Sequence, residues 1–297
     1  MLRATLIGSV AVLLWSTLAL FTTLTGTIPP FQLLAMTFAI GALMALGKWL
    51  WRGEDIAAHL AQPAAAWAVG VGGLFGYHAL YFVALRLVPA VEASLIAYLW
   101  PLLIVIFAAF LPGERLRAGH WLGALMGAAG AALILGRGAA SGGGWSGDWS
   151  GYAAAGGCAV VWAGYSTLTR RFAAVPTDAV GGFCAVTAAL GLACHLAFET
   201  TQWPAGGLEW LAVLALGLGP VGAAFFVWDH GCKHGDIKVL GTLSYAAPLM
   251  STLLLVLAGR AEASANVALA CLLIVAGAVL AGRASAAAGR PVSPDAS

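Results

Sequence analysis

The chain has 297 residues, of which 61% are hydrophobic and only 9% charged, with a net charge of +2 and a mean hydropathy of +0.92. Soluble domains carry about 25% charged residues, so this composition excludes an ordinary soluble domain and points to an all-α membrane protein. No block of basic residues is present, which sets aside nucleic-acid binding.

A helix needs about 20 apolar residues to cross the hydrocarbon core of a bilayer. Ten stretches meet that need. The first, 4–24, is too long for a signal-peptide core and no small-x-small cleavage site follows, so it is expected to be retained; it carries Trp15-Ser16-Thr17 near its middle. The second, 31–50, follows Pro29. The third, 64–86, holds Gly70, Gly72, Gly73 and Gly76 and then Tyr77, His78 and Tyr81. The fourth, 89–111, contains Tyr98-Leu99-Trp100-Pro101, and the fifth, 119–136, has Gly123 and Gly127 on one face. A Gly-rich joint from Ala139 to Gly151 leads to the sixth, 151–172, with Trp162 at mid-span. The seventh is 178–198, and the eighth, 207–231, contains Gly217-Leu-Gly-Pro-Val-Gly222. The ninth, 237–258, carries Ser244-Tyr245-Ala246-Ala247-Pro248, and 264–283 is the tenth.

The two halves repeat at a spacing of 147 residues. Trp15 matches Trp162 and Pro29 matches Pro176; Gly70 and Gly72 match Gly217 and Gly219; Tyr98 and Pro101 match Tyr245 and Pro248; Gly130 matches Gly277. Each copy has five spans, an odd number, so the second must lie inverted in the membrane relative to the first. The expected organisation is a first five-helix repeat at 1–138, an inter-repeat loop at 139–150, an inverted repeat at 151–284 and a flexible cytoplasmic tail at 285–297.

With the N-terminus cytoplasmic, Arg3, Lys48, Arg52, Arg115, Arg117, Arg170, Arg171, Lys233, Lys238, Arg283 and Arg290 fall on the cytoplasmic side. Only Arg86, Arg137 and Arg260 fall on the other. This positive-inside bias supports ten spans with both termini cytoplasmic.

Ionisable residues inside a span are costly and mark function. His78 is the clearest, and helical spacing groups it with Tyr77 and Tyr81. The matching residues of the second copy are Ala224, Phe225 and Trp228, so the imidazole has no counterpart. That asymmetry points to substrate contact; the structural alternative is a histidine bonded to a helix carbonyl or a tyrosine. Pro101 and Pro248 each remove a backbone hydrogen bond and are expected to bend their helices around a central space. Trp15, Trp100 and Trp162 lie too deep for an interfacial belt, whereas Trp49, Trp51, Trp145, Trp149, Trp203 and Trp210 fit one. Glycines in the third, fifth and eighth spans are read as close-packing faces. The formal GxGxxG at Gly217–Gly222 lacks a preceding strand and is rejected as a dinucleotide site. His230 and His234 are read as a solvated rim rather than metal ligands, and the five cysteines as reduced packing residues. No catalytic group, cofactor or metal is expected.

Two five-span halves in a chain of this length resemble the drug/metabolite transporter superfamily, in particular its ten-span EamA branch. Ala4-Thr5-Leu6-Ile7-Gly8 with Leu14-Trp15-Ser16-Thr17, Tyr98-Leu99-Trp100-Pro101, His234-Gly235 through Gly241, and Ser244-Tyr245 with Pro248 are similar to the YddG-type aromatic amino acid exporters. The resemblance implies an exporter in the bacterial inner membrane. Its substrate would be an aromatic or other neutral amino acid held by Trp15, Tyr77, His78, Tyr81, Tyr98, Trp100, Trp162 and Ser244. The expected partners are that small molecule and the lipid bilayer, with the protein monomeric. The alternative is an exporter of other small metabolites or drugs, although an exporter of cationic drugs would need a mid-span acid, which this chain lacks; a channel would need a charge ring or filter and a membrane-embedded enzyme a paired catalytic group, and neither is visible.

Overall fold

The structure, a computed structural model, describes residues 1–88, 90–112, 116–135, 148–257 and 265–288. The Gly-rich segment 139–147 and Arg115, Arg137, Trp145, Arg260 and Arg290 lie outside these residues, as does the side chain of Cys271.

Every regular element described is helical: α1 Leu2–Ser16, α2 Leu18–Thr23, α3 Pro30–Arg52, α4 Ile56–Leu60, α5 Ala64–Leu87, α6 Ala90–Ala97, α7 Trp100–Ala108, α8 Ala118–Leu135, α9 Trp149–Leu168, α10 Val180–Phe198, α11 Gly207–Leu218, α12 Ala224–His234, α13 Ile237–Leu243, α14 Ala246–Leu257 and α15 Ala265–Ala288. Each expected span coincides with one or two of these. Among the described residues five continuous runs are long and apolar enough to cross a membrane: Leu2–Thr23, Pro30–Arg52, Ala64–Leu87, Thr177–Phe198 and Gly207–His234. Their outer faces are apolar too, with Leu6, Leu43, Val83, Leu196 and Leu211 all exposed. Contiguous exposed leucine is a liability in water and the normal state against lipid.

Local signals set many of the ends. Pro30 opens α3, where its missing N–H costs nothing, and Gly53 ends it at φ +63°, a left-handed cap suited to glycine. Asp55, Asp148 and Asp236 cap α4, α9 and α13 by accepting backbone N–H bonds. The Ser150 N–H holds the exposed Asp148 carboxylate below its usual pKa.

The stretches expected as the fourth and ninth spans are broken helices. Tyr98-Leu99 separates α6 from α7, and Ser244-Tyr245 separates α13 from α14. Pro101 and Pro248 stand in the first turn of the helix after each break, where the N–H that proline lacks has no helical partner in any case. The breaks thus lie before the prolines rather than at them.

The halves interleave rather than sitting side by side. α3 packs along α10, α8 along α15, α1 along α12 and α5 along α9. The 147-residue offset carries α3 onto α10 and α8 onto α15, and exchanges the pair α1·α12 with the pair α5·α9. Glycine contacts give the sense of each pair. A Cβ on Gly123 would lie 2.5 Å from the Gly277 carbonyl oxygen, and one on Gly130 would lie 3.0 Å from that of Ala270. These two contacts are each other's equivalents under the repeat, and together they make α8 and α15 antiparallel. Gly8 against Gly231 and Gly235 against Thr5 likewise make α1 and α12 antiparallel. Of the glycines read as packing faces, Gly70, Gly73, Gly123, Gly127 and Gly217 sit at close approaches, whereas a Cβ on Gly72 would meet nothing within 4 Å.

The antiparallel pair α3·α10 is tied at both ends. Lys48 Nζ bonds Asp178 at one end. At the other, Glu199 accepts the backbone N–H groups of Phe31 and Gln32 at 3.0 and 3.1 Å and bonds His195 at 3.0 Å.

Trp51, Trp149, Trp203 and Trp210 are exposed, consistent with an interfacial belt. Trp49 differs: it is buried and stacks on His59 at 5.0 Å, because α4 folds back over the end of α3. Cys158, Cys184, Cys194 and Cys232 are free thiols.

Candidate functional site

Six of the eight residues expected to hold substrate meet around one cavity of about 90 Å³, room for several water molecules: Trp15, Tyr77, His78, Tyr98, Trp100 and Trp162. Leu18, Pro220, Val221, Phe225 and Ala247 complete its wall. No lining residue carries a formal charge at neutral histidine.

The wall is built in symmetry-related pairs. The 147-residue offset takes Trp15 to Trp162, His78 to Phe225 and Trp100 to Ala247, and all six line the cavity. The site therefore straddles the relation between the halves, while its side chains break that relation. Trp100 is bulky and Ala247 small; His78 is polar and Phe225 apolar.

Aromatic rings hold the wall together edge to face. Trp15 lies 5.6 Å from Trp162 and 6.1 Å from Trp100; Tyr77 lies 5.3 Å from Trp162. Phe225 stacks on Phe38 at 5.4 Å, and Phe38 meets His78 at 5.2 Å. Each such pair contributes about 0.5–1.5 kcal/mol beyond burial, enough to fix the rings before any ligand arrives.

The polar groups are few and defined. His78 Nδ1 donates to the Leu74 carbonyl at 2.6 Å, one turn back on α5. The structural alternative for His78 is thus observed: Nδ1 is anchored to the helix, and the ring stands in the cavity wall with Nε2 free of that bond. Among the described residues the Tyr98 hydroxyl and the Trp100 and Trp162 indole N–H groups make no protein hydrogen bond, and all three residues line the cavity. The Trp15 N–H is used, donating to the Pro220 carbonyl at 3.0 Å. That carbonyl is available because residues Gly219–Ala223 form a π-helical turn, which frees backbone groups from the regular ladder. The glycine run rejected as a nucleotide loop is this turn.

Tyr81 and Ser244 stand off the wall. The Tyr81 hydroxyl pairs with Ser94 Oγ at 2.8 Å, although its ring stacks on Tyr77. Ser244 is fully buried and donates to the Leu240 carbonyl at 2.7 Å, one turn back on α13. Pro101 and Pro248 do not line the cavity; the segments they start carry Trp100 and present Ala247. Phe225, Ala247, Pro220, Val221 and Leu18 were not picked out as site residues from the sequence. The repeat alone could have supplied two of them, as the mates of His78 and Trp100; nothing local marks the Pro220 carbonyl.

A second cluster, Glu54, His59 and Asp178, brings three potential metal-ligating groups together, but the Lys48 ammonium lies between the two carboxylates as their counter-ion.

The EamA-like transporter family model matches the chain twice, over residues 2–136 and 149–283. The chain is 58% identical over 279 residues to the aromatic amino acid exporter YddG of Ancylobacter novellus, covering 94% of this chain and 96% of that one. It is 26% identical over 282 residues to the protein of the same name from Salmonella typhimurium, covering 85% and 87%. A solved crystal structure, 56% identical in sequence, superposes with a TM-score of 0.88 over 94% of this chain and 97% of its own.

Proposed function

The chain belongs to the EamA-like transporter family, and from that premise we propose that it exports aromatic and other neutral amino acids across the bacterial inner membrane by alternating access. The relatives named as aromatic amino acid exporters support the cargo. The single observation that carries the reading is the uncharged aromatic cavity straddling the two halves. Flat rings suit an aromatic side chain, and the absence of a cavity acid disfavours a cationic drug.

In this reading the ammonium of the substrate donates to His78 Nε2. Its carboxylate accepts from the Tyr98 hydroxyl and the Trp100 and Trp162 N–H groups, which are neutral donors suited to a zwitterion in a low-dielectric site. Tyr81 supports Tyr77 from behind, and Ser244 acts through the break that positions Ala247.

The ten helical segments form two five-span repeats, at 1–138 and 151–284, with the loop 139–150 between them and both termini cytoplasmic. Inversion is supported by the antiparallel α8·α15 pair and its reciprocal contacts. A two-fold that exchanges antiparallel membrane helices is perpendicular to them, and so lies in the membrane plane.

Counterflow of labelled phenylalanine in proteoliposomes, competed with amino acids, nucleosides and cationic dyes, tests the assignment. Uptake blocked by aromatic and other neutral amino acids supports it. No uptake by intact protein, or block by dyes alone, overturns it.

A further inference from the structure

One turn beyond the cavity, on the end rich in Lys and Arg, lies a buried charged cluster that the substrate site does not use. Lys233 Nζ sits 2.7 Å from Asp229 Oδ2, one turn apart on α12, and both side chains are 2% exposed. Lys233 also donates to the Val175 carbonyl at 3.0 Å, and the Thr177 hydroxyl donates to Asp229 at 2.7 Å. The cluster thereby fastens the end of α12 to the connection between α9 and α10. Arg170 adds a bond to the Gly235 carbonyl at 3.1 Å.

Trp228 lies between this cluster and the cavity. It is fully buried, donates to Ser166 Oγ at 3.0 Å, and stands 5.0 Å from the cavity residue Trp15. A path from the cavity to this end is therefore closed first by an indole and then by an ion pair.

The repeat supplies the comparison. The 147-residue offset carries Lys233 to Arg86 and Val175 to Ile28. At that opposite end the Arg86 side chain is 54% exposed, its nearest acid is Glu199 at 3.6 Å, and it makes no bond to the Ile28 carbonyl among the described residues. Equivalent positions therefore differ: Lys233 is buried in its ion pair, whereas Arg86 is half exposed beside the buried Glu199, and Asp229 and Thr177 map to Phe82 and Pro30.

We propose that Asp229, Lys233, Thr177 and the Val175 carbonyl form one gate of the carrier, closed in this structure, and that Arg86 with the Ile28 carbonyl forms the matching gate in the alternate state. This rests on the carrier reading above. Inverted halves exchange conformations when access alternates, so the contact made by one half is the contact the other half will make. An ion pair suits the task. Its desolvation cost nearly offsets its attraction, so separating and hydrating the charges changes the free energy little. A purely apolar plug would favour the closed state strongly.

The test uses Cys232, fully buried beside Lys233, as the reporter. The other cysteines are replaced, and Ile28→Cys and Arg86→Cys are introduced. The protein is placed in nanodiscs, where both faces are accessible. A short bis-methanethiosulfonate, spanning the reach of an arginine, links the two introduced thiols. The expected result is that linking this end raises alkylation of Cys232 by a water-soluble maleimide at least tenfold, and that reductant reverses it. Lys233→Met should raise Cys232 alkylation without any cross-link. A cross-link that leaves Cys232 unchanged, or failure of the link to form in folded protein, overturns the proposal. Phenylalanine counterflow on the parent protein is run separately. Coupled labelling without counterflow refutes the cargo and leaves the gate standing.

Discussion

Trp15 donates its indole N–H to the carbonyl oxygen of Pro220 across 205 positions of sequence, at 3.0 Å. The bond joins α1 to the π turn between α11 and α12 and holds one wall of the cavity against another. Trp15→Phe keeps a ring and removes the donor. A typical net hydrogen bond is worth about 1 kcal/mol, so substrate affinity should fall roughly fivefold with the protein still folded. Competition by phenylalanine in counterflow measures this; unchanged affinity would mean the bond does not shape the site.

His78→Phe copies the residue that the repeat places opposite. It preserves ring packing against Phe38 and Phe82 and deletes the Nε2 acceptor. Loss of a charge-assisted bond to the ammonium, about 1.5–3 kcal/mol, should weaken binding of phenylalanine at least tenfold. Equal affinity in the variant would remove His78 from the substrate site.

Ala247→Phe adds bulk at the mate of Trp100. Transport of tryptophan should be lost while a small neutral amino acid is still carried, as read by uptake of each labelled substrate. Equal loss of both, in folded protein, would point to a blocked conformational change instead of a filled pocket.

Ser244→Ala removes a hydroxyl that the structure directs to its own helix. Affinity for phenylalanine should stay within about twofold of the parent. A tenfold loss would place Ser244 on the substrate after all.

Gly123→Val sets a side chain where even a Cβ lies 2.5 Å from the Gly277 carbonyl oxygen, and α8 and α15 must separate. Gly72→Ala is the control, since its Cβ meets nothing within 4 Å. Overpacking costs about 1–3 kcal/mol, so the melting temperature of Gly123→Val should drop by several degrees and that of Gly72→Ala should hold or rise.

Class and frame are legible in the chain before it folds: ten apolar stretches, a 147-residue repeat, prolines at 101 and 248, and three tryptophans too deep for an interfacial belt. These are legible because hydropathy, proline and glycine act locally. Which face of each helix turns inward was decided only by the tertiary structure. In a soluble helix a polar face marks the outside; in these spans lipid makes every face apolar, so periodicity does not show which side is buried. Tyr81 therefore shares a helix face with Tyr77 yet gives its hydroxyl to Ser94, and Ser244 turns to its own backbone. Phe225 and Ala247 reach the wall through pairings with helices far away in sequence. The Pro220 carbonyl is exposed by a π turn, a single added residue per turn that no local residue type announces, and the same long-range packing leaves Lys233 buried while its mate Arg86 stays open.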